Sequence, residues 1–257
     1  MQFTDTHCHI QVADYPLESA DVIKGAKLVG VDRLIVVGCD LYDSQAATGM
    51  AATNDGIWAA IGLHPHEASK YVGEPELLNE FAALASQSKV VAIGECGLDY
   101  YYNHSPKAAQ KQLLRFQLEL AQKHNLPLIF HVRDAFQDFW PIFDEYPGLR
   151  GVVHSFTAAQ ADLDQILTRN LYVGINGIMT FTKKPEQLAA AKAIPLDRLL
   201  LETDAPYLTP SPLRGKVCEP KYVRVTAEFL SNLRGESLEE LAAATTHNAA
   251  TLFKLNN

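Results

Sequence analysis

Six of the nine histidines stand just past short apolar runs: His7, His9, His64, His66, His131 and His154. In Asp5-Thr6-His7-Cys8-His9 the two-residue period of a strand puts both imidazoles on one face and Cys8 on the other. Two imidazole nitrogens so placed suit one cation, but the pair alone is equally consistent with packed, hydrogen-bonded histidines. Glu95 lies between Gly94 and Gly97, which let the backbone turn and approach a ligand closely, and a carboxylate there can bridge two cations. Asp204, in Leu200-Leu201-Glu202-Thr203-Asp204, has one oxygen for a metal and another to accept a proton from water; Glu202 is a weaker second candidate. His7, His9, His131 and His154 with Glu95 and Asp204 form a metal-ligand inventory. Otherwise six polar groups at strand ends would each need a separate account of their burial.

Other residues suit a substrate. Arg133, two positions beyond His131, carries the planar donor fork that fits phosphate or carboxylate, and Asp134 is placed either to orient a side chain or to cap the following helix. His64 and His66 flank the stiff Pro65, where an imidazole can donate to a substrate oxyanion or take its proton. Tyr100, Tyr101 and Tyr102 serve equally well as a stack for a base or as packing over a barrel rim.

Elements must hold these residues. Apolar, β-branched-rich runs at Gln2–Thr6, Arg33–Val37, Trp58–Ile61, Val90–Ile93, Pro127–Phe130, Gly151–Val153, Leu171–Val173 and Arg198–Leu201 predict eight strands. Helical periodicity separates most of them. In 112–120, Leu113, Phe116 and Leu120 recur at helical spacing and Leu114 widens the apolar face. Alternation of this kind fits an α/β fold, a closed parallel (β/α)8 TIM barrel, better than an open sheet, and no G-x-G-x-x-G follows the first strand. In such a barrel the loops past the strand C-termini build the active site, which is where the histidines and acids stand. Two further helices are expected at Lys221–Leu233 and Ser237–Leu252, and residues 1–257 read as a single domain.

Composition narrows the function. With 22 Lys and Arg against 30 Asp and Glu, the net charge of −8 excludes a protein that coats duplex DNA through a basic surface. It leaves open a nuclease that takes one strand end into a metal-charged pocket, since bound cations supply positive charge locally. Met1–His9 is polar, and no apolar run reaches the ~18 residues of a membrane span, so a cytoplasmic location without membrane association is expected. Cys8, Cys39, Cys96 and Cys218 lack C-x-x-C spacing and read as reduced, mostly structural thiols.

Five ordered motifs then carry a resemblance over nearly the whole chain: Asp-Thr-His-Cys-His at 5–9, Gly-Leu-His-Pro-His at 62–66, Gly-Glu-Cys-Gly-Leu-Asp-Tyr-Tyr at 94–101, His-Val-Arg-Asp-Ala at 131–135 and Glu-Thr-Asp-Ala-Pro-Tyr-Leu at 202–208. The chain resembles the TatD family of metal-dependent deoxyribonucleases. The resemblance implies a (β/α)8 barrel of the metal-dependent hydrolase type that cleaves phosphodiester bonds of DNA, typically single-stranded ends from the 3′ side, with metal-activated water. It implies two divalent cations held by His7, His9, Glu95, His131, His154 and Asp204, with Glu95 as the bridge, and His64 and Arg133 near the substrate phosphate. Glu95, Asp204 and His64 become the expected catalytic residues; the roles of His66 and Asp99 stay open. Imidazoles favour Zn2+ or Mn2+ and carboxylates also admit Mg2+. No obligate protein partner is expected.

Three departures bear on substrate preference more than on metal binding. Cys96 replaces a usual Ile, Ser155-Phe156-Thr157 replaces Cys-Phe-Ser, and Val217-Cys218 replaces Arg-Asn, removing a candidate phosphate contact. The same chemistry also suits an amidohydrolase or an aminoacyl-tRNA deacylase, because a metal-activated water attacks carbonyls equally well. A non-catalytic metal-binding barrel would be favoured by a missing ligand, and none is missing.

Overall fold

A computed structural model describes residues 1–255. All eight expected strands form: β1 Phe3–Cys8, β2 Val31–Val37, β3 Ile57–Ile61, β4 Val90–Asp99, β5 Leu128–Arg133, β6 Gly151–Val153, β7 Tyr172–Ile175 and β8 Leu199–Leu201. Among the described residues ten α-helices accompany them: α1 Ser19–Leu28, α2 Leu41–Thr53, α3 Ala68–Tyr71, α4 Pro75–Leu84, α5 Lys107–His124, α6 Phe136–Phe143, α7 Gln160–Thr168, α8 Pro185–Ala193, α9 Val223–Arg234 and α10 Leu238–Phe253. Sheet order follows chain order from β1 to β8, and Cys8 bridges Ala205 just past β8, the topology of the (β/α)8 barrel. The chain divides into two compact units, Met1–Val36 with His154–Asn257, and Val37–Val153.

In the first unit β1 is buried at every position, since strands covered on both faces have no solvent side. Phe3, Ile35, Val173, Leu199, Val223, Leu230 and Leu241 are core residues there. The α10 N-terminus is a reciprocal capping box. Ser237 Oγ accepts the Glu240 N–H, and the Glu240 carboxylate accepts the Ser237 N–H. Asn248, buried on α10, donates from Nδ2 to the Leu196 and Leu199 carbonyls at 2.8 and 2.9 Å and so fastens the helix to the start of β8.

The second unit is organised by β4 and α5. The strand is longer than its apolar run, because it continues through Glu95 to Asp99 and is buried throughout. Gly94 and Gly97 make that possible. Each has φ +151°, and a Cβ would stand 2.5 Å from the Ile129 carbonyl oxygen or 1.9 Å from that of His131, so only glycine lets β4 approach β5 this closely. Glu95 therefore sits on an irregular strand, where the register shifts between Ile93 and Cys96, rather than in a turn. On α5, Leu113, Leu114, Leu118 and Leu120 are buried as the period requires. Phe116 is only half-buried, and Gln110 and Gln117 are buried in its stead.

Candidate active site

The first unit gathers His7, His9, His154 and Asp204. His7 and His9 lie at the C-terminal end of β1, and their Nε2 atoms are 3.0 Å apart. Asp204 Oδ1 lies 3.3 Å from His9 Nε2 and 3.6 Å from His7 Nε2. The His154 ring stacks on His7 with centroids 4.1 Å apart. Asp204 is held by its backbone. Its N–H donates to the His7 carbonyl at 2.8 Å, the His9 N–H donates to the Ala205 carbonyl at 2.7 Å, and Asp204 has φ +63°, a conformation that Asp tolerates better than most residues. Burial pushes the Asp204 carboxyl up, but its hydrogen bond to His9 and the imidazoles of His7 and His154 outweigh burial and hold it below the usual carboxylate range.

Two buried acids support this set. Asp5 accepts the Thr203 hydroxyl at 2.6 Å, the Thr203 N–H at 2.9 Å and the His7 N–H at 3.3 Å; burial raises its pKa to about 8. Glu202 accepts the Ser155 N–H at 2.6 Å and lies 3.5 Å from His154 Nδ1. Ligand atoms of His7, His154 and Glu202 all lie within 4.8 Å of one another.

The second unit gathers His64, Glu95 and His131, whose ligand atoms also lie within 4.8 Å of one another. His131 Nδ1 is 2.7 Å from Glu95 Oε1, and His131 Nε2 is 3.1 Å from Asp99 Oδ2. His66 Nε2 reaches the same Asp99 oxygen at 2.9 Å. His64 Nε2 is 3.7 Å from Glu95 Oε1, and its Nδ1 accepts the His66 N–H at 3.2 Å. Cys39, past β2, donates from Sγ to Glu95 Oε2 at 3.8 Å. Burial pushes Asp99 up, and hydrogen bonds from His131, the Tyr102 N–H and His66 reverse that and hold its carboxyl well below the carboxylate range.

The donor sets fit divalent cations. Imidazole nitrogens and carboxylate oxygens at mutual spacings of 3 to 4 Å suit an N/O-ligated ion, and the His7–His9 nitrogens face one another beside a shared carboxylate.

Several expectations for single residues change. Asp134 does not cap α6: Ala135 occupies the N-cap without a side-chain bond, and Asp134 takes φ +53°, outside the extended conformation of a capping residue. Tyr100 packs, with its hydroxyl donating to Asp138 at 2.8 Å and Lys107 over its ring, whereas Tyr101 and Tyr102 are exposed. Arg133 lies over those two rings. Cys218 is buried, its N–H bonded to the Pro206 carbonyl and its carbonyl to the Tyr15 hydroxyl, so it packs the loop where an Arg-Asn pair is usual.

Sequence reading missed the residues that hold the loops. Gln117 accepts the Leu63 N–H and donates to the Leu63 carbonyl, both at 2.9 Å, which fixes the approach to His64. Gln110 does the same for Asp99, at 2.8 and 3.0 Å. They are seven residues apart on the face of α5 read as apolar, and that spacing was the available signal. Asp5 shares the two-residue period of His7 and His9, a signal of the same kind.

The family model described as TatD related DNase matches residues 4–254. The chain is 42% identical to the uncharacterized metal-dependent hydrolase YabD of Bacillus subtilis, over 98% of this chain and 99% of that one. It is 36% identical to the 3′-5′ ssDNA/RNA exonuclease TatD of Cronobacter sakazakii, over 98% of each. Among solved structures, YjjV, a TatD homolog from Escherichia coli K12, superposes with a TM-score of 0.92 at 28% identity, over 99% of this chain and 98% of that one. With both histidine-carboxylate clusters in place and the match running from β1 to the end of α10, this chain belongs to the TatD-related DNase family of metal-dependent hydrolases.

Proposed function

We propose that the chain is a cytoplasmic exonuclease that hydrolyses phosphodiester bonds at single-stranded DNA ends from the 3′ side, acting as one catalytic domain over 1–257 and needing no obligate protein partner. His7, His9, Glu95, His131, His154 and Asp204 hold two divalent cations, either Mg2+, Zn2+ or Mn2+, and Glu95, Asp204 and His64 serve the chemistry. The observation that carries this reading is the pair of imidazole nitrogens 3.0 Å apart beside Asp204. No helix among the described residues is long and apolar enough to cross a membrane.

Bound there, divalent cations supply Lewis acidity toward the phosphate and its attacking water. Asp204, held ionised by its imidazole neighbours, accepts a proton at a carboxylate oxygen. Because His64 Nδ1 accepts the His66 N–H, the neutral ring carries its proton on Nε2 and donates from that atom to a phosphate oxygen. Such a donor contributes on the order of 3 kcal/mol to a developing oxyanion. Arg133 offers its planar fork to a second phosphate oxygen.

Single-stranded DNA labelled at either end, offered beside an ester substrate, tests the assignment. Immediate release of the 3′ label as a mononucleotide, with gradual shortening of the 5′-labelled strand, is the expected result; acyl release instead, or no reaction with any of the three cations, would refute it. Elemental analysis of gently purified protein then identifies the ion and its stoichiometry.

A further inference from the structure

Asp99 belongs to two structures at once. One oxygen, Oδ2, takes hydrogen bonds from His66 and His131. The other, Oδ1, accepts the Tyr101 and Tyr102 backbone N–H groups at 2.9 and 3.0 Å. The loop that follows carries Tyr101, 60% exposed, and Tyr102, 52% exposed, two adjacent aromatic side chains open to solvent. Their rings meet edge to face at 4.9 Å, and Tyr102 stacks on His104 at 5.6 Å with 15° between the planes. Tyr102 and His104 also meet the His66 ring, at 5.6 and 4.6 Å. The Arg133 guanidinium lies 4.2 Å from the Tyr101 centroid and 4.7 Å from that of Tyr102.

Resting on the nuclease reading above, we propose that Tyr101 and Tyr102 form a seat on which an unpaired nucleobase near the cleaved end of the strand stacks, held in register with His66 and His131 by Asp99. Stacking on an aromatic face is sequence-tolerant, because every base has one, and suits an enzyme that shortens a strand of any sequence. Arg133 adds to the seat. Its face is taken by the two rings, and its in-plane N–H donors serve the adjoining phosphate. A duplex end keeps its bases paired and stacked on one another, so the seat selects single strands.

Two oligodeoxynucleotides identical except at the 3′ terminus, one with a natural base and one with an abasic tetrahydrofuran residue, test the seat on the metal-loaded enzyme. Tyr101→Ala and Tyr102→Ala raise KM about tenfold for the base-bearing end. The same variants change the abasic substrate about twofold or less, and Tyr101→Phe retains the wild-type preference. Tyr42→Ala, a change at another exposed tyrosine, alters neither. Equal shifts on both oligonucleotides, or none on either, overturn the proposal. If the wild type hydrolyses neither strand, the nuclease reading fails, and anisotropy binding of the same two oligonucleotides still decides the seat: selective loss of affinity for the base-bearing end supports it, and no selectivity overturns it.

Discussion

His9 and His131 meet carboxylates in different ways. In the first unit His9 Nε2 and His7 Nε2 stand 3.3 and 3.6 Å from one Asp204 oxygen and 3.0 Å from each other, so donor atoms of like kind crowd a shared point. In the second unit His131 is engaged at both nitrogens, by Glu95 at 2.7 Å and Asp99 at 3.1 Å, and Asp99 in turn holds His66. In the first arrangement a cation between the imidazoles would replace the N–H···N contact of 3.0 Å between His7 and His9. The second is a hydrogen-bonded chain that holds its own shape, and a cation entering it must replace one of those bonds. If the first unit takes an ion the more tightly and the second keeps its own geometry, metal binding and turnover respond differently to changes in the two.

The largest effects should follow from removing ligands. His9→Ala, Asp204→Ala and Glu95→Ala each lower DNA hydrolysis by about a thousandfold or more, with an unchanged far-ultraviolet circular dichroism spectrum. The comparison sharpens when metal binding is read separately. Saturating Mn2+ or Zn2+ at about a hundred times its Kd stabilises the wild type by about 2.7 kcal/mol, a Tm rise of roughly 5 to 10 °C. That rise should vanish in His9→Ala and persist in large part in His131→Ala. Equal loss in both variants would mean that the two units do not differ as described.

Asp99→Asn is the next largest. The amide keeps the shape but cannot accept from His66 and His131 as the carboxylate does, so turnover falls about 10- to 100-fold while the metal-induced Tm rise remains. Were the rise lost instead, Asp99 would have to be counted with the ligands. Gln117→Ala acts through the backbone. It leaves the Leu63 N–H and carbonyl buried without their partner and lowers stability by about 2 kcal/mol, measurable by urea unfolding. Activity should fall only severalfold, because His64 keeps its own bond from the His66 N–H.

What could be read beforehand follows the same division. The β1 set is legible because a strand repeats every two residues, so His7 and His9 announce their common face, and Asp5 was within reach of the same rule. The second unit is less legible because its partners are long-range and polar. Within 107–124 only the seven-residue spacing of Gln110 and Gln117 on the apolar face hints that they turn inward, and nothing local says that they hold Asp99 and Leu63, since an apolar stripe is read from apolar residues. Nor does Asp99 declare, from its place in Gly-Leu-Asp-Tyr, that it will join two histidines to a tyrosine loop. Asp134 misled for a related reason: residue type suggests a cap, but just past β5 its φ is positive and the N-cap falls on Ala135.

The smallest effect supplies the baseline for all of these. Ser237→Ala removes one half of the capping box of α10, far along the chain from either histidine cluster, and leaves the Glu240 N–H to water. A lost cap of this kind lowers Tm by about 2 to 4 °C in a chain of this size. The helix remains pinned by Asn248, so kcat at 25 °C should stay within about twofold of wild type. If Ser237→Ala instead lowered activity as far as Gln117→Ala does, the loss in Gln117→Ala would reflect stability alone. If activity holds in Ser237→Ala at an equal fraction of folded protein, the deficit in Gln117→Ala measures how closely the position of Leu63 governs His64.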